Sequence, residues 1–290
     1  MQWTTSRFLI DLTAPKVMGI VNVTPDSFSD GGQHASVGSA LRHCEQLIRD
    51  GADILDIGGE STRPGAPSVS LEDELARVLP VVREAVKLGV PISIDTYKPT
   101  VMQAVLDLGV DIINDIWALR WTESPSVTSP LRGLQVVADH KSCGVCLIHM
   151  HREPLSMQVD PMQGDVVAQV LAFLNHASQA LQALGVEKSR IVLDPGIGFG
   201  KTVEQNFALL ARQAELRVSG YPLLAGWSRK SSLAAVTGMA ANSVATGAVH
   251  ERMVPSVVAA VLAVERGASI VRVHDVRETV MALQVLNATK

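Results

Sequence analysis

The chain has few cysteines, no long apolar run and no excess of either charge, and each absence excludes a class of protein. Three cysteines in 290 residues, Cys44, Cys143 and Cys146, cannot form the disulfide framework of a small secreted domain. The longest uninterrupted apolar run, Val257 to Val264, is too short to span a bilayer. The 25 basic and 29 acidic residues give a net charge of −4, so we expect neither nucleic acid nor a membrane as a partner.

The amino-terminal segment lacks the pattern of a targeting signal. Residues 1–15 carry one arginine and one short apolar triplet, whereas a signal peptide has a basic start and a longer apolar stretch. We therefore expect a cytoplasmic protein. The composition, 47% hydrophobic and 19% charged, is that of a compact globular chain with a large core.

Eight short apolar and β-branched runs recur along the chain, and each interval between them is long enough for a helix and two loops. Continuous apolar strands that alternate with helices are typical of a parallel sheet covered by helices. The runs are Val17–Thr24, Asp53–Gly59, Pro91–Thr96, Ile112–Trp117, Val145–Met150, Ile191–Gly196, Pro222–Trp227 and Ser269–His274.

Apolar residues between these runs follow helical spacing, most clearly in residues 37–48, 71–86 and 167–184, each of which is followed by a glycine suited to end a helix. Eight strand–helix units indicate a (β/α)₈ barrel, with a doubly wound open sheet as the alternative. The barrel is favoured because no shift in composition marks a second domain. We predict a barrel over residues 17–290 and an amino-terminal cap segment, such as a hairpin, over residues 1–16.

Every predicted strand ends in polar residues, and the loops after the strands of a barrel build its active site. One such residue can serve as a helix cap, but polar ends on all eight strands indicate a site. Carboxylates and amides suit a heterocycle with N–H donors, basic side chains suit an anionic leaving group, and an asparagine oxygen suits Mg²⁺. The candidates of these types are Asn22, Asp95, Asn114, Asp194, Lys230, Arg272 and His274.

Two short motifs point to other chemistry and are rejected on their spacing. Residues 196–202 resemble a phosphate-binding loop, but that motif needs a glycine at Pro195, and a dinucleotide motif needs one at Lys201. Cys143 and Cys146 have the spacing of a redox pair, but residues three apart on a strand face opposite sides of the sheet. We therefore predict glycines that let the backbone approach a flat ligand, and buried, unreactive cysteines.

Two long segments closely resemble signatures of the dihydropteroate synthase family: Met18–Gly32, which reads MGIVNVTPDSFSDGG, and Asp56–Gly65, which reads DIGGESTRPG. Shorter matches follow in family order at residues 93–96, 113–115, 193–201, 226–231 and 272–275. The resemblance implies a (β/α)₈ barrel, usually a homodimer. It also implies a reaction that joins p-aminobenzoate to 6-hydroxymethyl-7,8-dihydropterin pyrophosphate, releasing pyrophosphate and 7,8-dihydropteroate.

The resemblance further implies a role for each matching position. The pterin would be bound by Asp95, Asn114, Ile116, Ile148, Asp194, Phe199, Gly226, Lys230 and Arg272. Pyrophosphate would contact Asn22, Thr62, Arg63, Arg272 and His274, with Mg²⁺ on Asn22. The p-aminobenzoate would lie near Thr62, Pro64 and Ser231. The catalytic residues would be Arg63, Lys230, Arg272 and His274.

Two alternatives stay open, and two stretches depart from the family pattern. A corrinoid-linked methyltransferase also has a pterin-binding barrel, but it lacks the TPDSF and SRKS segments that this chain contains. A catalytically silent paralogue would bind pterin without turnover. After His149 and Met150 the family often carries Gln-Gly, whereas this chain has His151 and Arg152. The loop of residues 117–130 is longer and more irregular than the family pattern leads us to expect.

Overall fold

The fold is a closed barrel of eight parallel strands, preceded by a short hairpin. The computed structural model describes residues 1–24, 32–61, 67–122, 131–153, 157, 159–239 and 252–289. The strands are β1 (Gln2–Thr4) and β2 (Leu9–Asp11) in the hairpin, then β3 (Lys16–Asn22), β4 (Ile54–Gly58), β5 (Ile92–Asp95), β6 (Ile112–Asp115), β7 (Gly144–Ile148), β8 (Ile191–Asp194), β9 (Leu224–Ala225) and β10 (Ile270–Val273).

The pairing of the strands confirms the predicted barrel. Strands β3 to β8 pair in chain order, and β10 lies between β3 and β9. A parallel bridge between Leu193 and Leu223 joins β8 to the start of β9 and closes the ring. The alternative of an open, doubly wound sheet is therefore wrong.

Helices follow the barrel strands and cover the outside of the sheet. The three helices predicted most clearly from apolar spacing are present, and within the described ranges no helix is long and apolar enough to cross a membrane. The helices are α1 (Gly32–Arg49), α2 (Leu71–Ala85), α3 (Pro99–Asp107), α4 (Gly133–Asp139), α5 (Val166–Ala183), α6 (Val203–Ala211), α7 (Gln213–Leu216), α8 (Ser231–Val236), α9 (Met253–Glu265) and α10 (Val276–Asn287).

Alternation along the strands divides the core into two layers. Ile54 points into the barrel, whereas its neighbour Leu55 packs beneath the helices, and the other strands repeat this pattern. Cys143 belongs to the outer layer and Cys146 to the barrel interior, and both are buried free thiols. The two cysteines therefore face apart, as predicted.

The hairpin of β1 and β2 closes the end of the barrel at which the strands begin. Trp3 is fully buried and packs with the barrel-interior side chains, and its Nε1 donates a hydrogen bond to the Arg190 carbonyl oxygen at 2.9 Å. Arg7 donates through Nε, at 3.0 Å, and Nη2 to the buried carboxylate of Asp111, just before β6. Residues 1–16 therefore lie opposite the carboxyl ends of the strands.

We expect Trp3→Ala to lower the free energy of unfolding by ~3–5 kcal/mol, because it removes a fully buried indole and leaves a cavity. Activity of the folded variant should be unchanged, since the hairpin is remote from the carboxyl ends of the strands. Urea unfolding and steady-state kinetics measure the two effects, with Gln2→Ala at an exposed position of the same strand as the control. Wild-type stability in Trp3→Ala would show that the hairpin does not close the core.

Candidate active site

A charged network crosses the barrel interior near the carboxyl ends of its strands. Asp56, at the centre, is fully buried and accepts hydrogen bonds from Ser93 Oγ at 2.6 Å, Asn114 Nδ2 at 3.0 Å and Arg272 Nε at 2.5 Å. Arg272 Nη2 also donates to Asp95 Oδ2 at 2.8 Å. The strand register makes this possible, because it pairs Asp56 with Ser93 and Asp95 with Asn114 on inward-facing positions.

Two acceptor atoms in this network are buried and have no hydrogen-bond partner within the described part of the chain. One is Asp95 Oδ1. The other is Asn114 Oδ1, whose direction is fixed because the amide nitrogen of the same side chain donates to Asp56. An unpartnered buried polar atom costs ~1–3 kcal/mol, so the pair indicates a ligand that brings N–H donors.

Asp194 presents a third carboxylate beside open space. Its Oδ1 accepts a hydrogen bond from the Gly196 backbone N–H at 2.7 Å. Its Oδ2 would lie 3.8 Å from a Cβ built on Gly226, and apart from the adjoining residues no other described heavy atom comes within 4 Å of that point. Burial raises the pKa of Asp194 to about 6. Burial also raises the pKa of Asp95, although the charge of Arg272 opposes this effect.

Apolar side chains and a lysine complete the wall of the site. Ile116, Ile148 and Phe199 all belong to the barrel-interior cluster. The Phe199 ring lies 4.4 Å from Lys230 Nζ, a distance suited to a cation–π interaction. Lys230 immediately precedes α8, whose first residue, Ser231, is exposed.

His274 is oriented by a serine from the neighbouring strand end. Ser228 Oγ accepts a hydrogen bond from the His274 backbone N–H at 3.1 Å and lies 3.0 Å from His274 Nδ1. The next residues on each segment, Arg229 and Asp275, form an ion pair at 2.7 Å. These contacts hold the imidazole at the end of β10, two residues beyond Arg272.

The structure brings most of the predicted site residues to one end of the barrel. Asn22 is the last residue of β3 and pairs with Gly58. In the described ranges no group of three His, Cys, Asp or Glu side chains is arranged to hold a metal ion. Three predicted positions, Thr62, Arg63 and Pro64, lie outside the described residues, as do residues 25–31 of the first signature.

Two central residues carry no role in the sequence-based prediction. Asp56 is an isolated acid in the apolar run of β4, and its inward-facing position is the signal that could have identified it. Lys201 is buried, and its ammonium contacts His149 Nδ1 and the carbonyl oxygen of Gly196, each at 2.8 Å. A lysine held in this way cannot reach a phosphate, which supports the rejection of a phosphate-binding loop.

The departure at His151 and Arg152 has a local consequence for the backbone. Arg152 has a φ of +61°, in the left-handed region that favours glycine, which accounts for the glycine often found there in the family. The Arg152 side chain forms an exposed ion pair with Asp160. Of residues 117–130, which depart from the family pattern, residues 123–130 lie outside the described residues.

Comparisons with known proteins cover almost the whole chain. The family model described as pterin binding enzyme matches residues 18–274. Dihydropteroate synthase of Neisseria meningitidis serogroup B is 47% identical over 291 residues, covering 99% of this chain and 96% of that protein. Dihydropteroate synthase of Burkholderia cenocepacia, solved in complex with 7,8-dihydropteroate, has a TM-score of 0.86 at 48% identity and covers 99% of this chain and 96% of its own. Dihydropteroate synthase of Yersinia pestis, solved in complex with a sulfonamide drug, has a TM-score of 0.88 at 41% identity. The match covers 100% of this chain and 99% of the Yersinia pestis chain.

Proposed function

This chain belongs to the pterin-binding enzyme family, and from that premise we propose which of its residues carry out the reaction. It condenses 6-hydroxymethyl-7,8-dihydropterin pyrophosphate with p-aminobenzoate, which gives 7,8-dihydropteroate and pyrophosphate. The observation that carries our assignment is the pair of buried, unpartnered acceptors, Asp95 Oδ1 and Asn114 Oδ1. A pterin ring presents N–H donors, and two such donors would satisfy both atoms.

The proposed pterin position also uses the open space beside Asp194. The ring would lie over Gly226, where a side chain would otherwise stand, and donate to Asp194 Oδ2. Phe199 and Lys230 would cover one edge of the ring. The apolar wall excludes water, which strengthens the hydrogen bonds to the buried carboxylates.

The reaction breaks the bond between the pterin methylene carbon and the pyrophosphate oxygen. Negative charge grows on the departing oxygen, and Arg272, His274 and Arg63 are the cations and donors proposed to stabilise it. The electron-rich dihydropterin can share the positive charge left on the methylene, which favours departure before attack. The p-aminobenzoate nitrogen then forms the new bond and loses a proton to solvent. Because that amine is already neutral at pH 7, no strong general base is needed.

We further propose that Asn22 binds Mg²⁺ next to the pyrophosphate. The donor set fits, because Mg²⁺ typically takes one or two protein oxygens and completes its shell with water and substrate phosphates. Asn22 offers one such oxygen, and the described residues contain no acidic or histidine cage for a resident metal. When bound, the ion would neutralise charge on the leaving group.

The test of this assignment is Asn22→Leu, which keeps the approximate volume and removes the oxygen. We expect turnover to fall by at least about 10- to 100-fold, the loss typical of removing even an outer-shell partner of a metal site, without recovery at saturating Mg²⁺. Pyrophosphate release with both substrates, followed over a Mg²⁺ titration, measures this effect. Asn287→Leu, at an exposed position of α10, is the control. Undiminished activity in Asn22→Leu would show that the metal is held elsewhere.

We propose that the protein is a homodimer, and we retain the prediction of a cytoplasmic location. The neighbouring helices α9 and α10 each expose apolar side chains at i, i+4 spacing, namely Val254 with Val258 and Met281 with Val285. Exposed apolar surface on adjacent helices is expected at a protein–protein interface, and a second copy of this chain would cover it.

Val258→Glu should convert the dimer to a monomer, because it places a charge in the apolar contact. Sedimentation equilibrium of the wild type and the variant measures the change in mass. Val159→Glu, at an exposed position before α5, should leave the dimer intact. A monomeric wild type, or a dimeric Val258→Glu, would contradict the proposed interface.

A further inference from the structure

Lys201 is a buried lysine whose polar neighbours are neutral groups. Its side chain is 3% exposed. Among the described residues, its ammonium contacts His149 Nδ1 at 2.8 Å and three carbonyl oxygens, those of Gly196 at 2.8 Å, Phe199 at 3.1 Å and His149 at 3.4 Å. Burial lowers the pKa of Lys201 well below its usual value. Burying an ammonium group lowers the stability of the fold, so packing alone does not explain why a lysine occupies this position.

The histidine partner is suited to accept a hydrogen bond from this ammonium. Burial, together with the charge of Lys201, lowers the pKa of His149, so the ring is neutral and Nδ1 can act as an acceptor. The same ring packs edge-on against Phe173 of α5 at 4.8 Å between centroids. His149 is therefore fixed on two sides, and it gives Lys201 a rigid partner.

The Gly196 and Phe199 carbonyl oxygens belong to a turn between β8 and α6, which lies directly against the segment after β7 that carries His149. Gly196 and Gly200 have φ values of +68° and +73°. A Cβ on Gly196 would lie 1.8 Å from the His149 carbonyl oxygen, and one on Gly200 would lie 2.6 Å from His151 Cβ. Only glycine permits this approach. The His151 backbone N–H donates to the Phe199 carbonyl oxygen at 3.4 Å, and Lys201 adds a side-chain contact that joins the turn to the same neighbouring segment.

The same turn carries a wall of the pterin site. The Phe199 carbonyl oxygen faces Lys201, while the Phe199 ring faces Lys230. Ile148 and Asp194, which precede the two joined segments, also line the site. A displaced turn would therefore move the pterin wall without disturbing the charged network on the other side of the barrel.

We propose that Lys201 is a positioning residue for pterin binding: its ammonium holds the turn of residues 196–200 against the segment after β7 and thereby fixes Phe199. This inference rests on the proposed function. The turn contains none of the residues assigned to p-aminobenzoate. Loss of the ammonium should therefore weaken pterin binding selectively.

Lys201→Met tests the inference, with Lys87→Met at an exposed lysine as the matched control. In Lys201→Met we expect the KM for the pterin substrate to rise about 10- to 100-fold, because a displaced wall weakens binding of the substrate and of the transition state equally. The KM for p-aminobenzoate should be unchanged, and kcat at saturation should stay within about threefold of wild type. Lys87→Met should match the wild type in all three constants.

A wild-type pterin KM in folded Lys201→Met, or an equal rise in both KM values, would overturn the inference. If Lys201→Met does not fold, Gly200→Ala provides the second test, because its methyl group pushes the same turn away from the segment after β7, at His151, without removing a charge. The same selective rise in pterin KM supports the proposal, and wild-type constants contradict it. Absence of synthase activity in both the wild type and Lys87→Met would instead contradict the proposed function.

Discussion

Arg272→Met should lower turnover about 100- to 1,000-fold, because the proposed leaving group loses a preorganised donor. The same change should destabilise the fold. Arg272 bridges Asp56 and Asp95 in the barrel interior, and methionine fills a similar length without the charge. Removing one member of a buried ion pair costs ~3–5 kcal/mol, because the partners stay buried without a countercharge.

The stability deficit of Arg272→Met should shrink as the pH falls. Burial raises the pKa of Asp95, and the charge of Arg272 opposes that rise. Without the arginine, the pKa of Asp95 in the folded state rises further above its unfolded value. The folded variant then binds a proton more tightly than the unfolded chain, so its stability increases from pH 8 towards pH 5.

Urea unfolding at pH 5 and pH 8 measures this dependence, and pyrophosphate release measures the loss of turnover. Arg49→Met, at an exposed position of α1, is the control and should match the wild type in both assays. A deficit in Arg272→Met that is the same at both pH values would contradict the electrostatic explanation. Turnover close to that of the wild type would remove Arg272 from the proposed site.

Asp95→Asn should weaken pterin binding about 10- to 100-fold while leaving the free energy of unfolding unchanged or higher. Asp95 Oδ1 is buried without a described partner, and the amide would turn a donor towards the N–H donors of the pterin. The raised pKa of Asp95 shows that its charged form is disfavoured in the folded state at neutral pH. Asparagine carries no charge, so the variant avoids the free-energy cost of burying the Asp95 carboxylate. The affinity for pterin should therefore fall without a fall in the free energy of unfolding.

Calorimetry with dihydropterin pyrophosphate, in the absence of p-aminobenzoate, measures the affinity of Asp95→Asn, and urea unfolding at pH 8 measures its stability. Asp107→Asn, at an exposed position at the end of α3, is the matched control. Wild-type affinity in Asp95→Asn would remove this carboxylate from the pterin site. A parallel loss of affinity and stability would indicate a structural role instead.

The barrel could be predicted from the sequence because parallel strands are buried on both faces and so appear as continuous apolar runs. All eight predicted runs are longer than the observed strands, since the polar residues at their carboxyl ends leave the sheet and enter the site loops. The difference is largest for residues 222–227, where the observed strand contains only Leu224 and Ala225. A single bridge at Leu223 closes the ring there, and no local pattern predicts how short that strand is.

The motifs predicted the identity of many site residues but not the way they pair. Arg272 was predicted to face an anion, and the structure shows in addition that two carboxylates hold it. The direction of the Asn114 amide depends on its bond to Asp56, a contact between residues 58 positions apart. Lys201 lies in a segment that resembles a phosphate-binding loop, and only the folded structure reveals that its ammonium faces inwards.

Product formation tests the central claim most directly. The purified chain, incubated with Mg²⁺, dihydropterin pyrophosphate and p-aminobenzoate, should release 7,8-dihydropteroate and pyrophosphate in equal amounts. Chromatography of the pteridine products and an independent pyrophosphate assay measure both, and omission of p-aminobenzoate should abolish formation of 7,8-dihydropteroate. Binding of the pterin substrate without formation of either product would contradict the claim and would identify a catalytically silent pterin-binding protein.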